Sequence, residues 1–228
     1  MLFSLRISLP DRPGSLGAVA TAFGQGGANI LTLDIVESGG VAVDDLVVEA
    51  PEGMQEALRR ATAAVPGLVV EEIRPLEAFR DIMSPLELAA ALAEGALPLI
   101  ATLVERMPEA LRADWCVVLT GGVDGVKVLG AGIGAPSLAD VKVPWLPLEG
   151  PTRLPAADWM PASWTLGPGS RDGLGKFELA AAPLFDSSSA LLVGRRKGPQ
   201  FRTSELEQLG LLARIAAASY SPSHLAAG

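Results

Sequence analysis

The sequence predicts an α+β protein in two parts, a βαββαβ sandwich over residues 1–76 and an antiparallel sheet with flanking helices over 85–220. Three observations predict it: strands with period-2 hydrophobicity, helical stripes between them, and a Pro-containing, mixed-charge stretch, RPLEAFRDIMSP, separating the parts. Residues 77–84 are read as the linker and 221–228 as a C-terminal tail. Charge divides the same way: residues 1–79 hold 5 basic and 11 acidic side chains, residues 80–228 hold 13 and 15.

In LFSLRISL, residues 2–9, Phe3, Leu5, Ile7 and Leu9 alternate with Ser4, Arg6 and Ser8, the pattern of a strand with one buried face. After the turn DRPGS, Leu16, Val19, Ala20 and Phe23 recur on one helical stripe, which Gly26 and Gly27 end. NILTLDIVE and VAVDDLVVEA flank Ser38, Gly39 and Gly40 as a hairpin. Met54, Ala57, Leu58, Ala61 and Val65 stripe a second helix, Pro66 and Gly67 break it, and LVVEEIR is the fourth strand. The result is a four-stranded antiparallel sheet with two helices on one face. Its other face, softened by Arg6, Thr32 and Asp34, and its open edges are expected to form a dimer contact.

This segment resembles the ACT domain, a ferredoxin-like module of amino-acid metabolism. The motif that carries the resemblance is Asp11-Arg12-Pro13-Gly14-Ser15-Leu16 after strand one, paired with Gly27-Ala28-Asn29-Ile30 opening strand two. The resemblance implies a homodimer through the ACT sheets, with an amino-acid effector held between the first loop of one chain and elements of its partner. It assigns the ligand's polar groups to Asp11 and Asn29, and backbone donors to Gly14, Ser15 and Leu16; Arg12, Pro13 and Ile30 complete the candidate site. Leu9 and Pro10 stand where some amino-acid-binding members carry polar residues, which leaves the effector's identity open. The physics agrees on the loop, because the first N–H groups of a helix lack intrahelical partners and favour a carboxylate. Asp11 or the Asn29 carbonyl can accept an ammonium. The plain alternative is that Asp11 and Ser15 cap the turn and helix, Asn29 serves the backbone after Gly27, and nothing binds.

From Pro85 to Leu111 the chain is Ala- and Leu-rich and helical, interrupted at Pro98 and Pro108. WCVVLT and VKVLGA form a hairpin about Gly121–Gly125, and KFELAAAPL and ALLVGRRKG a second strand pair around Asp186-Ser187-Ser188-Ser189. Ser204 to Glu207 spell a capping box, and Leu206, Leu209, Ala213 and Ala216 stripe the last helix. Between these, residues 143–175 are Pro- and Gly-rich and hold Trp145, Trp159 and Trp164.

This second part resembles a GAF domain, from Ala182-Pro183-Leu184 through Leu191-Leu192-Val193-Gly194 to Phe201-Arg202-Thr203 and the Glu205-Leu206 helix. The resemblance implies a six-stranded antiparallel sheet with a ligand pocket, which Trp145, Trp159 and Trp164 would line; those side chains serve equally to pin a long loop. The Asn-Lys…Phe…Asp-Glu constellation of cyclic-nucleotide-binding members is missing from the sequence, and Cys116 sits in an apolar strand, not at a bilin attachment point. Arg195, Arg196 and Lys197 end a strand as a solvated run or a basic docking patch.

A net charge of −8 argues against nucleic acid as a partner. One cysteine cannot form an internal disulfide, and one histidine, His224, excludes His-rich metal sites. Asp44-Asp45 and Glu71-Glu72 point to opposite strand faces and cannot share an ion within one strand. No apolar run nears the roughly 20 residues of a membrane span. These features predict a cytoplasmic, non-enzymatic protein with no cofactor, no metal and no membrane partner. Two functions stay open: a sensor that binds an amino acid in the ACT part and signals through the GAF-like part to an unidentified protein partner, or a ligand-free dimerisation and interaction scaffold.

Overall fold

A computed structural model of the chain describes residues 1–37, 39–51, 53, 59–60, 62–76, 85–95, 98–122, 125–138, 141–155, 159–160, 177–196 and 199–220. The expected linker and C-terminal tail lie outside these residues. The chain divides into two compact units, Met1–Asp81 and Ile82–Gly228. Among the described residues no helix is long and apolar enough to cross a membrane.

In the first unit, β1 (Leu2–Pro10) leads through a short loop to α1 (Ser15–Gln25), then β2 (Asn29–Glu37), β3 (Val41–Glu49) and β4 (Val69–Leu76). The strands form one antiparallel sheet in the order β2-β3-β1-β4. Residues 59–60 and 62–63 are helical. Met54, Ala57, Leu58 and Ala61, expected on that helix, lie outside the described residues. The period-2 residues of β1, Phe3, Leu5, Ile7 and Leu9, form one core with Ala42, Leu46 and Val48 of β3, and with Val19 and Phe23 of α1. The buried stripe of α1 is narrower than its sequence suggests: Leu16 and Ala20 are exposed, and Ala22 packs against the core instead.

The face of this sheet away from α1 is not the open surface expected. Ser4, Arg6, Val43, Asp45 and Val47 are buried. Arg6 occupies the middle of that face and donates from Nε to Asp45 Oδ1 at 2.8 Å and from Nη2 to Asp45 Oδ2 at 2.7 Å, a bidentate pair that satisfies a charge so placed. Exposed apolar side chains lie instead on the edge strand β2, at Leu31, Leu33 and Ile35, at Val41 where β3 begins, and at Val69 on the opposite edge strand β4.

The second unit contains α2 (Pro85–Glu94), α3 (Leu99–Ala110), β5 (Trp115–Gly122), β6 (Gly125–Ala131), β7 (Thr152–Leu154), β8 (Phe177–Pro183), β9 (Ser189–Arg196) and α4 (Thr203–Ser219). Its sheet has five strands among the described residues, in the order β6-β5-β9-β8-β7, where the resemblance implied six. Both expected strand pairs form, β5 with β6 and β8 with β9. The sheet is covered on both faces. Cys116, Val118, Ala180, Ala182, Leu191 and Val193 pack with the helices. Trp115, Val117, Leu119, Leu179, Ala181 and Leu192 pack beneath Leu138, Val141, Leu148, Leu154 and Met160. Double-sided burial is why these strands read as continuous apolar runs. Gly194 is dictated by this packing, because a Cβ there would fall inside the Trp115 indole.

Arg195 is buried, and this corrects its assignment to a solvated run. Its guanidinium donates to the carbonyls of Arg112 at 3.0 Å, Pro199 at 3.1 Å and Leu111 at 2.6 Å, pairs with the Glu205 carboxylate, and lies 4.0 Å over the Phe201 ring. It therefore joins β9 to the end of α3 and the start of α4. Glu205 also accepts the Arg202 N–H at 2.8 Å. The last helix is thus capped from Arg202 with Glu205 in its first turn, not from Ser204 with Glu207, because burial beside Arg195 commits Glu205 to that place.

Replacing Arg195 by Met should lower the stability of this unit by about 3–5 kcal/mol, since Glu205 is left buried without its counter-charge. A double substitution, Arg195→Met with Glu205→Leu, should recover part of that loss. Chemical denaturation of the three proteins checks this; a single variant as stable as wild type would show that the pair is dispensable.

Candidate functional site

The loop between β1 and α1 is shaped by three local requirements. Pro13 fixes φ in the turn, and Gly14 caps α1 at φ +90°, a left-handed conformation that glycine adopts without strain. Gly14 offers no side chain to the helix end, so the N–H groups of the first turn keep no capping partner from it. Ser15 Oγ turns away and donates to the Pro10 carbonyl at 2.8 Å. Arg12, Pro13, Gly14 and Leu16 are exposed, and Ser15 is partly so.

Asp11 ties this loop to the β2–β3 turn. Its N–H donates to the Gly40 carbonyl at 3.1 Å, and its carboxylate accepts the Gly39 N–H at 3.2 Å. The Asp11 carboxylate therefore holds the loop in place as well as facing solvent.

The structure does not bring Asp11 and Asn29 together within one chain. β1 and β2 both pair antiparallel to β3 and so run the same way; Pro10 and Val41 pair at one end, Asn29 and Glu49 at the other. Asn29 is exposed, and the length of β2, about 26 Å at the usual rise per residue, separates it from the Asp11 end of the sheet. Ile30 is half-buried and packs against the core.

Asp44 is the residue that sequence reasoning passed over. It is 1% exposed, and neither carboxylate oxygen has a hydrogen-bond partner. Burial first, then the charges of Asp11 and Asp45, raises its pKa above the ordinary value. The adjacent pair Asp44-Asp45 does divide between two faces, but only Asp45 finds a cation there, and nothing in the spacing indicates which member would lack one.

In the second unit, Trp145 and Trp159 meet edge to face with centroids 6.0 Å apart and pack on the core of the sheet face away from the helices. An open groove of about 680 Å³ lies between the β5–β6 hairpin and residues 141–147, lined also by Ser188. Val143, Pro144 and Leu146 line it, and neither Trp145 nor Trp159 does. Trp164 lies outside the described residues. Burial pushes the Cys116 thiol up, away from the thiolate that nucleophilic chemistry needs.

The state of Asp44 predicts a pH dependence. A carboxyl whose folded pKa is raised binds a proton in the folded chain at pH values where the unfolded chain has released it, so stability falls as pH rises through that window and levels off above the folded pKa. Asp44→Asn has no such loss. Thermal melts should show its stability relative to wild type growing from about pH 4 upward; parallel profiles would mean that Asp44 ionises without penalty.

Comparison with known proteins places the first unit. The family model of the ACT domain matches residues 3–66. A solved formyltetrahydrofolate deformylase from Pseudomonas putida KT2440 aligns over 34% of this chain and 30% of its own, at 14% identity and a TM-score of 0.28. GqqA, described as a novel type of quorum quenching acylase, aligns over 35% and 44%, at 18% identity and a TM-score of 0.28. The ACT domain from GTP pyrophosphokinase of Chlorobium tepidum aligns over 33% of this chain and 97% of its own, at 18% identity and a TM-score of 0.26. The chain thus spans less than half the length of the first two of these structures. No curated protein matches it. Within the first unit, residues 3–66 are an ACT domain, a small regulatory module that binds small ligands.

Proposed function

We propose that this is a non-catalytic regulatory protein of the cytoplasm that binds an amino acid in a site shared between the ACT domains of two chains, and that its second unit passes the signal on as a GAF-like domain. The observation that carries the proposal is the placing of Asn29 and the Asp11–Leu16 loop, both exposed, at opposite ends of one sheet. They can serve one ligand only across two chains. The edge strand β2 supplies the contact, with Leu31, Leu33 and Ile35 exposed along it. Antiparallel pairing of two such edges about Leu33 sets Asn29 of a second copy opposite Glu37, at the end of β2 beside the Asp11–Gly39 contact. The loop then offers the first turn of α1, which no side chain caps, to a carboxylate, and Asn29 of the second copy offers amide groups to the ligand.

A ligand-free scaffold is the second reading, favoured by one observation. Asp11 and Ser15 already spend hydrogen bonds inside the chain, on Gly39 and Pro10. In that case the β2 edges pair and the loop stays empty.

A thermal-shift scan of the full chain against the common L-amino acids separates the two. An effector at 100 times its dissociation constant should stabilise the wild type by about 2.7 kcal/mol. Asn29→Ala should lose this response, and so should Leu31→Lys, which places a charge on the pairing edge. A flat scan from a protein that light scattering shows to be dimeric would leave the scaffold.

A further inference from the structure

Asp44 has an oxygen pair in need of donors, and the first turn of α1 has no side-chain cap. Strand alternation puts Asp44 on the helix-covered face of β3, with Ala42, Leu46 and Val48, while Asp45 turns to Arg6 on the other face. The ladder partners of Asp44 are Ile7 on β1 and Ile35 on β2. Ile7 is fully covered, whereas Ile35 is 62% exposed. Asp44 therefore lies between a covered position of β1 and an exposed one of the edge strand β2.

The surroundings of Asp44 select for a cation. The charges that act on it, Asp11 and Asp45, are both negative, and they reinforce burial in disfavouring its ionised form. The Asp45 charge is balanced by Arg6. A buried carboxyl with both oxygens unpartnered is costly, the more so if charged, and an incoming N–H donor relieves that cost.

We propose that Asp44 receives the ammonium of the ligand while the ligand's carboxylate sits on the first turn of α1. The inference rests on the amino-acid reading of the ACT domain and deepens it. It assigns the ammonium to Asp44, not to Asp11, whose carboxylate accepts the Gly39 N–H, nor to Asn29 at the far end of β2. The ligand enters from the β2 edge, past Leu33 and Ile35, and bridges the uncapped first turn of α1 and the unpartnered Asp44 carboxyl. The site then requires a free α-ammonium. A des-amino acid of the same shape leaves Asp44 unpartnered, and an N-acetylated amino acid brings no positive charge to it.

The test is calorimetric titration of the full chain with the common L-amino acids, followed by the des-amino and N-acetyl counterparts of any that binds. Wild type should bind the free amino acid about 10- to 100-fold more tightly than either counterpart. Asp44→Asn, similar in size but uncharged, should weaken the amino acid by a comparable factor and lose the discrimination. Wild type that binds the des-amino acid equally well would overturn the assignment without any variant. So would an Asp44→Asn protein that keeps both affinity and discrimination while Asn29→Ala abolishes binding; the shared amino-acid site would then survive. If wild type binds none of the amino acids, the shared site and the role of Asp44 fall together.

Discussion

The first unit depends on β3. It is buried along most of its length on both faces and paired on both sides, by β1 and by β2. Because both neighbours run antiparallel to it, they run parallel to each other, and α1 serves as the crossover between them. That constraint sends the Asp11–Leu16 loop to one end of the sheet and Asn29 to the other. It also gives β3 two kinds of carboxyl. Asp45 is matched by a bidentate arginine, and Asp44 is held among apolar neighbours without a donor. A site that needs the loop and Asn29 must recruit a second chain, and a stable strand that contains Asp44 leaves one polar group to be satisfied from outside.

The second unit solves a different problem. Its sheet is apolar on both faces, so helices cover one side and an irregular, Trp-containing segment covers the other. Arg195 then fastens strand to helices from inside, meeting three carbonyls, one carboxylate and an aromatic face with one planar group. Two of the aromatic residues that invited a pocket reading, Trp145 and Trp159, meet each other over the sheet, and Trp115 fills the space that Gly194 leaves.

Local periodicity carried the strands and hairpins well. Alternation in β1 marks its core face residue by residue, and the Gly-rich and Ser-rich turns mark the two strand pairs of the second unit. What the sequence hides are choices made by distant partners. The Arg195-Arg196-Lys197 run looks like a solvated hairpin end until Glu205 and the end of α3 fold over Arg195. The capping box at Ser204 is locally sound but loses to Glu205, whose burial beside Arg195 sets the N-cap at Arg202. The three-residue β7 is too short to leave a periodic signal. For the candidate site, the sequence exposed the loop and Asn29. It could not show that Asp11 is tied to Gly39, nor that Asp44 is the carboxyl without a partner.

The central claim is that one ligand site is assembled from two chains, and mixing complementary variants tests it most directly. Asp11→Ala, which unties the loop from Gly39, and Asn29→Ala, which removes the amide, each disable one half of every site. In a mixed dimer one site carries both defects, and the other joins an intact loop to an intact Asn29. The account predicts that titration of the mixture recovers amino-acid binding that neither variant shows alone, at a stoichiometry of about one site per mixed dimer. Binding that stays absent in mixtures shown to contain the mixed dimer, while wild type binds, would contradict a site shared in this way.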